Sequence, residues 1–224
     1  MNNIIQNLIT EVVEIEVSGK KMMNGTLVDS GSDLVVLFNG IDFVYISLEH
    51  IQRFEVNINE DDIMAPTHAP TISTVEEEKD LSFREILTQA KGNYVELYVT
   101  DGPPIHGYIL SLMDDYIEFY SPVYKIVYVS LRHLKVLIPY AENESPYGKN
   151  FHNSLVQSSR QILASTFKQQ IEKFKDKIVV LNAGGNKSHI GKLNEIEENL
   201  VEIHGAKLHS YYLNLDHIKT LHQV

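Results

Sequence analysis

Residues 178–221 read IVVLNAGGNKSHIGKLNEIEENLVEIHGAKLHSYYLNLDHIKTL. Two alternating runs flank a double-glycine turn. A strand with its own glycine follows, then a tyrosine-rich strand that closes on Leu-Asp-His-Ile-Lys. The same sentence is written twice more. Residues 13–54 read VEIEVSGKKMMNGTLVDSGSDLVVLFNGIDFVYISLEHIQRF, and residues 95–137 read VELYVTDGPPIHGYILSLMDDYIEFYSPVYKIVYVSLRHLKVL. The strand glycines Gly25, Gly107 and Gly191 recur 82 and 84 residues apart, and the closing histidines His50, His133 and His217 recur 83 and 84 apart. Self-similarity held to within a residue or two over such distances marks an internal repeat of one small supersecondary unit.

Working outward from these strings, the hydrophobic period identifies each unit's elements. Ile4, Ile5, Leu8 and Ile9 follow helical spacing, and from Val13 the period drops to two, with Val13, Ile15 and Val17 on one face. Asn39-Gly40 is a hairpin signal, because both residues tolerate positive φ. Five strands after a lead-in helix, with a glycine in the second strand where the chain must bend, predict an Sm-like or SH3-like small barrel. An OB-like barrel fits the same pattern. The expected fold class is therefore mainly β with short helices, as three tandem five-stranded barrels.

The expected domain organisation follows. Residues 1–57 form the first unit, and 58–80 an acidic, solvated linker. Residues 81–139 form the second unit, opened by a helix that Ser82 and Glu85 cap reciprocally. Residues 140–154 form a second linker. Residues 155–224 hold a longer helix, over 155–175, and the third unit. A unit of this size is marginal alone, so the three are expected to pack on one another or on other chains.

Composition weighs against several functions. The 224 residues carry a net charge of −11, the opposite of the basic face that nucleic acid or an anionic membrane requires. With no cysteine, thiol catalysis, disulfides and cysteine metal sites are excluded. No apolar run approaches the 18 residues of a membrane span. Residues 1–17 lack the basic region and cleavage site of a signal peptide, and synthesis on the cytosolic side is expected.

The strings around Gly191 and His217 resemble the repeated unit of the spore coat protein B family of endospore-forming bacilli. That family's pattern is a Gly-Gly turn, a Gly-Lys/Arg-Leu strand and an aromatic strand ending in His-Ile/Val-Lys. The third unit carries it in Gly184, Gly185, Gly191, Lys192, Leu193, Tyr211, Tyr212, His217, Ile218 and Lys219. The second keeps Gly102, Gly107, His133, Leu134 and Lys135. The first keeps Gly19, Gly25, His50 and Ile51, with Gln52 in the lysine position. The resemblance implies a structural, non-enzymatic component of the spore coat, made in the mother-cell cytoplasm. Its implied partners are other coat proteins and copies of itself. The family's Ser/Lys-rich C-terminal tail has no counterpart in this sequence, so functions residing in that tail are not implied.

Candidate sites are weighed against this background. His50, His133 and His217 invite a metal or proton-switch reading. The preferred reading is that each imidazole satisfies a backbone carbonyl at the corner between strands four and five. Their preceding residues, Glu49, Arg132 and Asp216, supply no shared carboxylate shell. His68, His106, His152, His189, His204, His209 and His222 show no ligand spacing and are expected on the surface. Gly184-Gly185-Asn186-Lys187-Ser188 lacks the phosphate-loop spacing and precedes a strand, so it reads as a turn. The tyrosines are expected in packing and interfaces. No cofactor or metal site is expected. Strands four and five are the edges through which units join, within the chain or between chains, leaving a free edge at each end. The alternative is an Sm-like RNA-binding protein, for which a basic face over Lys168–Lys192 is the feature to seek.

Overall fold

A computed structural model describes residues 3–56, 66, 72, 81–141, 147, 162–185, 188–207 and 209–224. The first segment comprises α1 (Asn3–Gln6), β1 (Val12–Val17), β2 (Lys21–Ser30), β3 (Leu34–Phe38), β4 (Phe43–Ser47) and β5 (Ile51–Val56). The second comprises α2 (Phe83–Gln89), β6 (Tyr94–Tyr98), β7 (Ile105–Leu112), β8 (Tyr116–Ser121), β9 (Lys125–Ser130) and β10 (Val136–Pro139). The third comprises α3 (Phe167–Glu172), β11 (Ile178–Leu181), β12 (His189–Glu197), β13 (Leu200–His204), β14 (Ser210–Asn214) and β15 (Thr220–Gln223). The fold is mainly β with a few short helices.

All fifteen strands form one antiparallel sheet in the order β14-β13-β12-β11-β15-β9-β8-β7-β6-β10-β4-β3-β2-β1-β5. Each segment contributes the same internal order: fourth, third, second, first, fifth. The segments join where the fifth strand of one pairs with the fourth of the segment before it, as β10 on β4 and β15 on β9. Two strands remain at the ends, β14 and β5.

Local chemistry explains the bends. A Cβ at Gly25 or Gly191 would lie 2.5 Å from the carbonyl oxygen of Phe38 or His204, and one at Gly107 would collide with that of Tyr120. Three residues beyond each glycine the register slips, at Val28, Leu110 and Asn194. Such bulges increase twist and curl the strand. A three-residue 3-10 turn then carries each fourth strand into its fifth, at Leu48–His50, Leu131–His133 and Leu215–His217.

Two expectations are corrected. The helix expected over 155–175 is the short α3. Thr166 caps it, its hydroxyl accepting from the Gln169 N–H, and residues 162–165 before it are not helical. The apolar spacing of Leu163 and Phe167 arises because both face the third core, Leu163 from irregular chain. Leu155 and its neighbours lie outside the described residues, as do most of 58–80 and 142–154. Within the first of those stretches Ile72 is buried, and its carbonyl accepts from the Tyr45 hydroxyl at 2.6 Å, so the solvated reading fails at that residue. The Ser82–Glu85 cap is present, with the Glu85 N–H on Ser82 Oγ at 3.2 Å. Asn39 Oδ1 accepts from the N–H groups of Ile41 and Asp42, closing the hairpin expected there.

Candidate functional site

The chain's most elaborate chemistry lies at the two joints. At the first, Val136 pairs with Ile46 and Leu137 with Tyr45; at the second, Thr220 pairs with Val129 and Leu221 with Tyr128. Each joint is deeper than a pair of strands. Leu34, Val36, Phe38, Phe43 and Tyr45 of the first segment share a core with Phe83, Ile86 and Leu87 of α2. Tyr116 and Tyr128 of the second segment share one with Phe167 and Ile171 of α3. A helix thus covers the preceding segment's sheet as well as its own. Fully burying one such side chain contributes about 1.5–3 kcal/mol.

Polar contacts repeat with the same regularity. Asp33 Oδ1 accepts from the Phe83 N–H at 2.7 Å, and Asp115 Oδ1 from the Phe167 N–H at 2.6 Å. Each carboxylate lies between the second and third strands of one segment and satisfies the first turn of the next segment's helix, where unpaired N–H groups and the helix dipole favour an anion. The Ser32 N–H donates to the Leu81 carbonyl at 2.8 Å, and the Asp114 N–H to that of Ser165 at 3.1 Å. Spacings of 82 and 84 residues relate these pairs, the same offsets that relate the glycines. That register is the signal by which Asp33 and Asp115, not singled out from sequence, could have been found.

The histidines follow the series with a difference from expectation. His133 Nε2 donates to the Asp216 carbonyl at 2.8 Å. His50 bonds the Arg132 carbonyl, and its Nδ1 lies 3.2 Å from Ser18 Oγ. Each imidazole does satisfy a carbonyl at a strand-four corner, but the corner belongs to the next segment. Burial holds both imidazoles below the ordinary histidine value; Lys219 acts in the same direction and the carbonyl bonds oppose it. His217 has no partner for its imidazole among the described residues, while its own carbonyl accepts from Asn182 Nδ2 at 3.3 Å.

Lysine and glycine complete the joints. Lys135 Nζ donates to the Ser18 carbonyl at 2.6 Å and the Thr100 carbonyl at 3.3 Å, tying the first hairpin turns of two segments together. Burial pushes this ammonium below the usual lysine value. A Cβ on Gly102 would collide with the Gly184 carbonyl, and one on Gly185 would sit 3.3 Å from Thr100 Cβ. Gly184 and Gly185 form a turn, the Gly185 N–H bonding the Asn182 carbonyl at 3.2 Å, and that turn packs against the second segment.

Other groups have local roles. His106, His189, His204 and His222 are half-buried, which corrects their surface assignment, and His209 is exposed as expected. The Tyr140 hydroxyl lies 2.9 Å from His106 Nδ1, and Tyr94 makes edge contacts with the rings of Tyr108 and Tyr140. His68 and His152 lie outside the described residues. In the Lys168–Lys192 stretch, Lys168 and Lys173 donate to the carbonyls of Glu198 and Ile162. Lys175 and Lys192 pair with Glu195 and Asp176, and Lys177 lies over the Phe174 ring. Among the described residues no three His, Asp or Glu side chains cluster as a metal site would require, and no helix is long and apolar enough to cross a membrane.

The two open edges differ from the joints and from each other. On β5, Arg53 pairs with Glu14, Glu16 and Glu55 at 3.2, 3.7 and 3.0 Å. On β13 and β14, Glu202 gathers Asn194 Nδ2, His204 Nε2 and the Tyr212 hydroxyl. Asn194, His204 and Ser210 hold its carboxyl below the usual range, Asn194 contributing most.

Comparison with known proteins agrees with the repeat. YwrJ of Bacillus subtilis (strain 168) is 34% identical over 228 residues, spanning 99% of both chains. The chain belongs to the YwrJ family. The family model described as the YwrJ third domain matches residues 166–221, from the cap of α3 into β15, which is the stretch on which the repeat is most completely written.

Proposed function

We propose that this YwrJ-family protein is a non-enzymatic structural component of the endospore coat that acts by protein–protein assembly through sheet edges. In this reading each five-strand segment is a strongly bent Sm-like barrel, whose gap between strands four and five is bridged by its neighbours. One observation carries the proposal: the chain builds itself by the same edge joint twice and, among the described residues, leaves one open strand edge at each end. Unpaired edges are templates for another chain. The Gly-Gly turn and the His-Ile-Lys ending, which resemble the spore coat protein B repeat, support placing that assembly in the coat. Its partners are then other coat proteins and further copies of itself.

The test is localisation. A fluorescent fusion of the full chain, expressed in sporulating Bacillus subtilis, is expected to form a shell around the forespore and to fractionate with the coat. Signal that stays diffuse in the mother cell, or leaves with the soluble fraction, would overturn the coat assignment.

A further inference from the structure

We infer that the β14 edge of one copy pairs antiparallel with the β5 edge of a second copy, forming a third joint of the same design as the two within the chain. The inference rests on the edge-assembly reading and adds the occupant, the strands and the register. Transferring the internal register by the repeat offsets sets Tyr212 opposite Phe54 and Leu213 opposite Arg53, as Tyr45 opposes Leu137 and Ile46 opposes Val136.

Exposure at equivalent positions carries the argument. Tyr45 and Tyr128 are buried beneath the next segment, and their third counterpart Tyr212 is 62% exposed. Leu34 and Tyr116 are buried in the same way, and their counterpart Leu200 is 50% exposed. At the other end, Ile86 of α2 and Gln170 of α3 are buried against the preceding segment, and their counterpart Ile4 of α1 is 74% exposed. The apolar side chains exposed at both ends therefore stand where the internal joints bury theirs, and the two ends are complementary rather than alike. Complementary ends join head to tail.

The polar parts of the joint are kept in weakened form. Gln52 stands where Lys135 and Lys219 stand, retaining an N–H donor for a turn carbonyl without the charge. Asn199 stands where Asp33 and Asp115 stand, retaining an oxygen acceptor without the charge. His217 offers the third imidazole, which the series directs to the Glu49 carbonyl of the second copy. Arg53 replaces Val136 and Thr220 and brings three carboxylates with it. A charged edge resists indiscriminate pairing. The third joint is accordingly reversible and weaker than the two internal ones.

The chain has no cysteine, so single-cysteine variants of the full chain read the register directly. Leu213→Cys mixed with Arg53→Cys is expected to give a disulfide-linked pair under mild oxidation. Ser210→Cys mixed with Arg53→Cys, out of register, is expected to give several-fold less. Light scattering over a concentration series is expected to show mass growing in multiples of the chain, and Tyr212→Asp or Ile4→Asp, both on exposed positions, to abolish that growth. A strict monomer at every concentration, or equal cross-linking in and out of register, would overturn the joint. Forespore localisation of the unmodified fusion separates the outcomes: a coat shell formed by a chain that is a strict monomer in solution sinks this joint and leaves the coat assignment standing.

Discussion

The face formed by β3 and β4 and the face formed by β13 and β14 occupy the same place in their segments, yet two of the four positions that apolar side chains fill on the first are polar on the second. The first presents Leu34, Val36, Phe38 and Tyr45, all sealed under α2. The second presents Leu200, Glu202, His204 and Tyr212, with the Glu202 carboxylate at the centre of a hydrogen-bonded group. Both are antiparallel hairpins paired over five residues of each strand. The neighbour distinguishes them: a face that is always covered can be apolar, whereas one that meets water must carry polar groups or risk nonspecific adhesion. The end segment of a stacked array commonly shows such a polar outer face.

That contrast can be broken most forcefully at Gly107. A Cβ there meets the Tyr120 carbonyl, so Gly107→Ala should lower stability by about 2–4 kcal/mol in denaturant unfolding. The next largest difference separates the two faces directly. Tyr128→Ala removes a buried ring and should cost about 3 kcal/mol, while Tyr212→Ala should change monomer stability by less than about 0.5 kcal/mol. Equal effects would mean that the two faces are not distinguished by cover.

A smaller effect concerns the helix-to-strand junction. Thr10, Gly92 and Asp176 hold φ of 81°, 83° and 65° while their N–H groups bond the carbonyls of Leu27, Ile109 and Leu193. Only the second segment uses glycine. A β-branched residue is strained at that conformation, so Thr10→Gly should stabilise the protein by about 1 kcal/mol, read as a raised unfolding midpoint.

The joints also carry a pH dependence. His50 and His133 titrate in the folded protein below their ordinary value of 6.5, so between those points the unfolded chain binds more protons. Stability contributed by the neutral imidazoles is present above about pH 6.5 and is lost as pH falls through the folded values. His133→Gln keeps an N–H donor for the Asp216 carbonyl and should flatten that slope; an unchanged slope would remove the histidine from the account. A small effect is also expected of Arg132→Ala, which breaks an exposed pair with Asp216 and should cost less than about 1 kcal/mol.

Much of the fold was legible because it is local. Period-two runs, the Asn39-Gly40 turn, the Ser82–Glu85 cap and the bend at Gly25, Gly107 and Gly191 depend on neighbours a few residues away or on one adjacent strand. The helix expected over 155–175 failed for the converse reason. Its apolar spacing was satisfied by tertiary contact, with Leu163 reaching the third core from irregular chain. The candidate site was half legible: the histidine corners and glycine turns stood out by repetition, but Asp33, Asp115 and the exposure of Tyr212 did not.

By itself the sequence determined that one β-unit is written three times, where each unit bends, and that each ends on a histidine corner. Only the tertiary structure decided which strand lies beside which. It places β10 on β4 and β15 on β9, hands the imidazoles of His50 and His133 to the following segment, and leaves one edge each of β14 and β5 open among the described residues. The physical reason is that side-chain period and turn chemistry are short-range, whereas an edge strand's N–H and C=O groups accept any partner with the right direction and register. Which partner they take is fixed by the apolar face that comes with it.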